Sequence, residues 1–266
     1  MSFTTVATTP FGAALRRWRQ AGGTSQLTLA HRAGTTPRHL SFLETGRSRP
    51  SRDMVVRLSE ALDLSLREAN DLFRAAGLAP AHPETPLATT DLAPFSAVVD
   101  QMLERHLPYP AYAIDRDWNI VRANAVAETL LPDTPERNVV RLMYAGPWRE
   151  VIANWADLAW PGIRRLQAEA SHRLDDGRLT ELIEIAVSAC RDVPQRPAPD
   201  DSRVLCPHFR FGDELIRTIS VVAQFGAARD VTLDELRIEL IHPADETADA
   251  FFRRRAEATP PQQPPS

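Results

Sequence analysis

Ser25-Gln26-Leu27-Thr28-Leu29-Ala30-His31-Arg32-Ala33-Gly34-Thr35-Thr36-Pro37-Arg38-His39-Leu40-Ser41-Phe42-Leu43-Glu44-Thr45-Gly46 holds two helix starts and two helix stops in close succession. Ser25 is a helix N-cap, and Gly34 ends the helix it opens. Thr36 caps the next, with Pro37 at the first helical position, where its missing N–H costs nothing. That second helix turns Leu40 and Leu43 inward and stops at Gly46. A joint as short as Gly34-Thr35-Thr36 forces the helices to cross steeply. This is the helix-turn-helix arrangement, whose second member can enter a DNA major groove.

The same punctuation extends on both sides. Upstream, Phe11, Leu15 and Trp18 recur at helical spacing over Phe11 to Ala21, and Gly22-Gly23 ends the run. Downstream, Ser51 caps a stripe of Val55, Leu58 and Leu62. Ser65 and Glu68 have capping-box spacing and open a fifth helix, with Leu66, Ala69, Leu72 and Phe73 as its stripe. It stops at Gly77. The expectation is an all-α domain of five helices over residues 1–79.

Charge follows the same division. All 31 basic residues counted as Lys+Arg are arginine. Residues 1–79 hold 11 arginines against 6 acids, a balance of +5, whereas the remainder is −9 in a chain of net charge −4. Within residues 1–52 the only acid is Glu44, against 8 arginines. A basic head on an acidic body suits a phosphate-binding module joined to one that does not bind nucleic acid.

Composition sets limits on the rest. A 43% apolar and 25% charged chain is ordinary for a soluble protein. No apolar run approaches a membrane span, and Met1 to Pro10 has neither the basic start nor the apolar core of a secretory signal. The expectation is a cytoplasmic protein with no membrane association. The two cysteines, Cys190 and Cys206, are too few for a disulfide framework or a zinc site and read as buried thiols. Neither nucleophile-elbow, P-loop nor dinucleotide motifs occur, so no catalytic residue, metal ligand or cofactor is expected, and an enzyme is not.

After a proline-rich linker over residues 80–93, a second domain is expected at 94–258 and a disordered Pro/Gln-rich tail at 259–266. Phe95 to His106 reads as a helix, and Tyr112 to Asp115 and Trp118 to Ala123 as two strands around Arg116-Asp117. A helix near Ala125 to Leu131 follows. Helices are then expected over Arg149 to Trp160, Arg164 to Leu174 and Leu179 to Cys190, with Pro161-Gly162 as a break. Past the loop Pro194 to Asp201, Val204 to Phe211 and Leu215 to Gln224 flank Gly212-Asp213 as a hairpin. Leu236 to Ile241 is the last strand. Strands, helices, then strands imply an α+β domain whose antiparallel sheet closes non-sequentially and buries one face.

The run Ser25-Gln26…Ala30…Ala33-Gly34-Thr35-Thr36…Leu40…Leu43-Glu44…Gly46…Pro50 closely resembles the XRE, or phage-repressor, family of transcription regulators. The resemblance implies that Gln26 binds DNA backbone and that Thr36, Pro37 and Arg38 occupy the base-reading positions. Ser41 and Phe42 come one turn later on the groove side. It also implies that Arg19 pairs with Glu44, which is then structural. Pro37 departs from the commonest pattern and can offer only apolar contact to a thymine methyl. Arg38 is the best direct reader, with a phosphate contact as its alternative. Arg47 and Arg49, just past the helix, read as phosphate contacts.

The longer stretch Pro37 to Arg52, with Leu66-Arg67-Glu68-Ala69-Asn70 and Ala75 to Pro80, looks like the MmyB-like branch of that family. So do Tyr109-Pro110-Ala111-Tyr112, Asp115 to Asn119 with Asn124, Asn154-Trp155 and Arg165…Ala168-Glu169. The resemblance implies a PAS-like domain that accepts a small apolar molecule of the fatty-acid type. Trp118, Trp155 and Trp160 are the candidate walls of such a pocket, between the sheet and the helices of residues 139–193. An ordinary core with a dimer surface would use the same aromatics. The functional expectation is a sequence-specific regulator of double-stranded DNA, acting as a homodimer because one helix-turn-helix has a small footprint. The alternative is a DNA-bound regulator whose second domain senses a protein partner instead of a small molecule.

Overall fold

The computed structural model of the chain describes residues 9–173, 177–195 and 206–259. By their contacts these fall into two compact units. One lies within Met1–Glu84, Ser171–Leu174 and Ala227–Asp234, the other within Thr85–Ala170, Asp175–Gly226 and Glu235–Ser266.

The first unit contains α1 (Pro10–Ala21), α2 (Gln26–Arg32), α3 (Pro37–Glu44), α4 (Arg52–Ala61) and α5 (Leu66–Ala75). The five expected helices are all present. Each begins at a hydroxyl N-cap, and Thr9, Ser25, Thr36, Ser51 and Ser65 each accept a backbone N–H three residues on. The capping box of Ser65 and Glu68 is complete in both directions. Gly34 and Gly46 follow their helices with φ of 60° and 76°, the left-handed region in which a side chain would be strained. Leu15, Leu29, Leu40, Leu43, Leu58 and Leu72 are wholly buried in one core. At Gly12, α1 approaches the end of α3 so closely that a Cβ there would lie 2.5 Å from the Glu44 carbonyl oxygen. Residues 80–84, expected in the linker, are fastened to α5. Buried Asn70 accepts the N–H groups of Ala81 and His82 and donates to the His82 carbonyl.

The rest of the chain supplies α6 (Ala93–Arg105), β1 (Ala111–Ile114), β2 (Ile120–Ala123), α7 (Ala125–Leu130), α8 (Val139–Tyr144), α9 (Trp148–Val151), α10 (Trp155–His172), α11 (Gly177–Ala189), β3 (His208–Phe211), β4 (Glu214–Gln224), α12 (Val231–Glu235), β5 (Arg237–Pro243) and α13 (Glu246–Glu257). The strands form one antiparallel sheet in the order β2-β1-β5-β4-β3, so the last strand is inserted between the first and the fourth. Non-sequential closure is as the order of elements implies.

Two expectations need correction. The sheet buries residues on both faces. Tyr112, Ile114 and Ile241 face α8 to α11 in the main core, while Ala111, Ala113 and Ile238 pack under Val99 and Leu103 of α6. The helix break is also elsewhere. Pro161-Gly162 lies inside α10, and the interruption falls at Ile152 to Asn154 instead. Its cause is remote in sequence: Ile152 forms a β-bridge with Phe209, and the Asn154 side chain binds the Cys206 carbonyl and the His208 N–H. Gly162 lets α10 pass against Tyr144, whose hydroxyl donates to the Ala159 carbonyl. A proline removes one intrahelical donor but need not end a helix that its neighbours hold in place.

Buried Asn124 organises the entry to the sheet. Its amide donates to the carbonyls of Leu103 and Tyr109, and its oxygen accepts from Ala111 and Ala127. α13, which the sequence reading missed, packs Phe251 and Phe252 against Val126 and Ile216. The third strand begins at His208. Val204 and Leu205, most of the loop Pro194 to Asp201 and all but Thr259 of the expected tail lie outside the described residues.

Candidate functional site

In the first unit the N-terminal turn of α3 presents Thr36, Pro37 and Arg38 to solvent, with Ser41 and Phe42 half-exposed one turn on. The Arg38 guanidinium lies 5.4 Å from the Phe42 ring centroid and that of Arg47 lies 5.9 Å from it. One ring therefore steers two arginines, of which Arg47 comes from beyond the helix end. Arg49 is exposed.

Behind this face stands Glu44, whose side chain is 1% exposed. Arg19 grips it with two bonds, Nε to Oε1 at 2.6 Å and Nη2 to Oε2 at 3.0 Å, and Gln26 donates to Oε2 at 2.8 Å. Arg16 stands 3.7 Å away. Burial pushes this carboxyl up, but the bonds from Arg19 and Gln26 outweigh it and hold it below the ordinary carboxylate value. The charge is thus kept and fully answered, and it does not oppose a phosphate at the surface. Gln26 spends one of its two amide hydrogens on Glu44.

The second unit contains a cavity of about 410 Å³ between the sheet and α8 to α10, within the range of small-molecule sites. Its walls are mostly apolar, among them Trp118, Met143, Trp148, Leu158, Leu166 and Phe209. Of the expected wall residues Trp118 lines it, whereas Trp155 and Trp160 are not among its lining. Their indole N–H groups bind the carbonyls of Met143 and Val193 within the packing. Trp118 has a φ of 67°, which a bulky residue adopts only under constraint. Backbone bonds hold it there, its N–H donating to the Asp115 carbonyl at 3.1 Å and its carbonyl accepting from Val139 at 2.9 Å. Arg237 and Arg165 lie 4.3 and 4.9 Å from its ring centroid, and its Nε1 donates to Glu169 at 3.2 Å.

The cavity's polar lining is Tyr112, Arg165, Cys206, Ser220 and Glu239. Tyr112 and Glu239 are directly opposed on β1 and β5, and the phenol donates to the carboxylate at 2.8 Å. Burial, and then Glu239 itself, raises the Tyr112 phenol far above its ordinary value, so it stays a donor. Trp148, one of four tryptophans clustered within residues 118–160 of the sequence, also lines the cavity, whereas sequence reasoning missed Arg165 and Glu239 as lining. For Glu239 a signal existed. It shares the inward face of its strand with Ile241, where the period of two otherwise demands an apolar residue.

Among the described residues, no helix is long and apolar enough to cross a membrane, and no group of three or more His, Cys, Asp or Glu is placed to hold a metal ion. A family model of the MmyB-like transcription regulator ligand binding domain matches residues 95–254, and a helix-turn-helix model matches residues 15–68. No curated protein matches the chain.

Proposed function

The chain belongs to the MmyB-like transcription regulators, DNA-binding proteins with a ligand-binding domain, and from that premise we propose that a small, largely apolar molecule in the cavity of the second unit controls operator binding. The observation that carries this reading is the cavity itself, about 410 Å³ and mostly apolar in its lining. In this reading Arg38 reads a base edge, Thr36, Pro37, Ser41 and Phe42 complete the groove face, and Gln26, Arg47 and Arg49 contact backbone. The regulator acts as a cytoplasmic homodimer on a two-fold operator. Its control requires that the ligand prefer one arrangement of the dimer over another.

The test is thermal and functional together. A graded series of single-chain amphiphiles should contain members that raise the unfolding temperature of the full chain and change its operator affinity. Binding by none of them would overturn the reading. A protein-sensing second domain would then be favoured, for which the exposed Phe95 and Val98 of α6 are the relevant observation.

A further inference from the structure

The polar end of the cavity holds two opposite charges in unequal states. Glu239 is half-buried on β5, and the neutral Tyr112 phenol is its hydrogen-bond partner. Among the described residues it forms no ion pair. Arg165, by contrast, is already engaged. Its Nε stands 3.6 Å from Glu169 and its guanidinium lies over Trp118. Glu169 is further held by Arg237 at 2.8 Å and by the Trp118 indole. Glu239, Tyr112 and Arg165 all line the cavity, so a polar ligand head is placed among them.

A fatty-acid carboxylate placed there would add a second anion beside Glu239, with Arg165, whose charge is already shared with Glu169, as the cation of the lining. Like charges a few ångströms apart disfavour each other, the more so the less water lies between them. An ammonium head would suit Glu239 but would stand against Arg165. A neutral head that donates to Glu239 and accepts from Arg165 satisfies both without adding charge.

We infer that the cavity selects an uncharged amphiphile, whose head carries both a hydrogen-bond donor and an acceptor, over a fatty acid of the same length. Glu239 is the residue that sets this specificity. The inference rests on the proposed ligand-binding role of the cavity and adds the chemical class of the ligand.

Decanamide, decanoate and decylammonium share one chain length and differ in head charge. Calorimetric titration of the full-length chain with each near neutral pH should give decanamide the tightest binding, at least about tenfold over decanoate. Glu239→Gln keeps an acceptor for Tyr112 while removing the charge. It should raise decanoate affinity by about tenfold and leave decanamide within about threefold. Wild-type binding of decanoate as tight as that of decanamide would overturn the inference without recourse to any variant. So would an unchanged decanoate affinity in Glu239→Gln. If none of the three probes binds, the ligand role of the cavity fails and the inference falls with it; if they bind in the wrong order, only the inference falls.

Discussion

Glu44 and Glu239 are both acids at least partly withdrawn from water, one in each unit, and they are answered in different ways. Glu44 receives a bidentate arginine, a glutamine and a second arginine nearby. Glu239 receives, among the described residues, one phenol. The first acid is enclosed by its own domain and leaves nothing for an outside molecule. The second is underserved, and it borders an open cavity. Compensation thus separates an acid that builds a fold from an acid available to a ligand.

Removing each charge should widen the contrast. Glu44→Leu leaves Arg19, with a side chain 12% exposed, without its counter-ion and should cost about 3–5 kcal/mol of stability in denaturant titration. In a double-mutant cycle with Arg19→Met, the coupling should be several times the roughly 1 kcal/mol of an exposed pair. A coupling near zero would dissolve the comparison. Acid should act in the same direction. Because its bonds hold the Glu44 carboxyl below its unfolded value, this stabilisation is complete above about pH 4.3 and lost as pH falls through the lowered value. Glu44→Gln should flatten that part of the stability profile.

The second expected effect concerns the cavity wall. A Cβ at Gly162 would overlap the Tyr144 hydroxyl. Gly162→Ala should therefore displace Tyr144 from the Ala159 carbonyl and cost about 1–3 kcal/mol, measured by thermal unfolding. An unchanged melting temperature would show that the wall yields.

On the DNA side, Arg38→Ala should relax base preference at one operator position by about 1–3 kcal/mol, whereas Arg47→Ala should weaken all sequences alike. Phe42→Ala removes the ring beside both guanidiniums and should combine the two losses. Binding-site selection distinguishes them. Uniform loss in Arg38→Ala would make it a phosphate contact.

The smallest effect should come from Glu239→Gln in the absence of any ligand. The Tyr112 hydroxyl keeps an acceptor, so stability should change by no more than about 1 kcal/mol. A loss approaching that of Glu44→Leu would place both acids in the same structural class.

The two units also differ in how far the sequence revealed them. In the first, every helix start is a Ser or Thr whose side chain binds a backbone N–H three residues away, and glycines end the helices that flank the tight joint. Such signals are local and can be read in order along the chain. Even the Arg19–Glu44 pair was accessible, because family resemblance fixes positions within a compact motif. In the second unit the informative contacts are long-range. The break before Trp155 is set by residues near Cys206, more than fifty positions on, while the apparent breaker Pro161 is carried through α10. Trp155 and Trp160 looked like walls by proximity in sequence, yet their indoles are turned to the Met143 and Val193 carbonyls. The polar end of the cavity joins Tyr112, Arg165 and Glu239, which only the insertion of β5 beside β1 brings together. Local pattern specifies the elements, whereas strand order specifies the site.

The constrained Trp118 has an optical consequence. Two of the five tryptophans, Trp118 and Trp148, border the cavity, and Trp18 belongs to the core of the other unit. Indole fluorescence responds to nearby charge and water, and Trp118 has two arginine guanidiniums 4.3 and 4.9 Å from its ring centroid while donating to Glu169. An occupant of the cavity would change the surroundings of those two emitters and leave Trp18 as a steady background. The protein thus carries its own occupancy gauge, readable without a label in the colour and intensity of its emission.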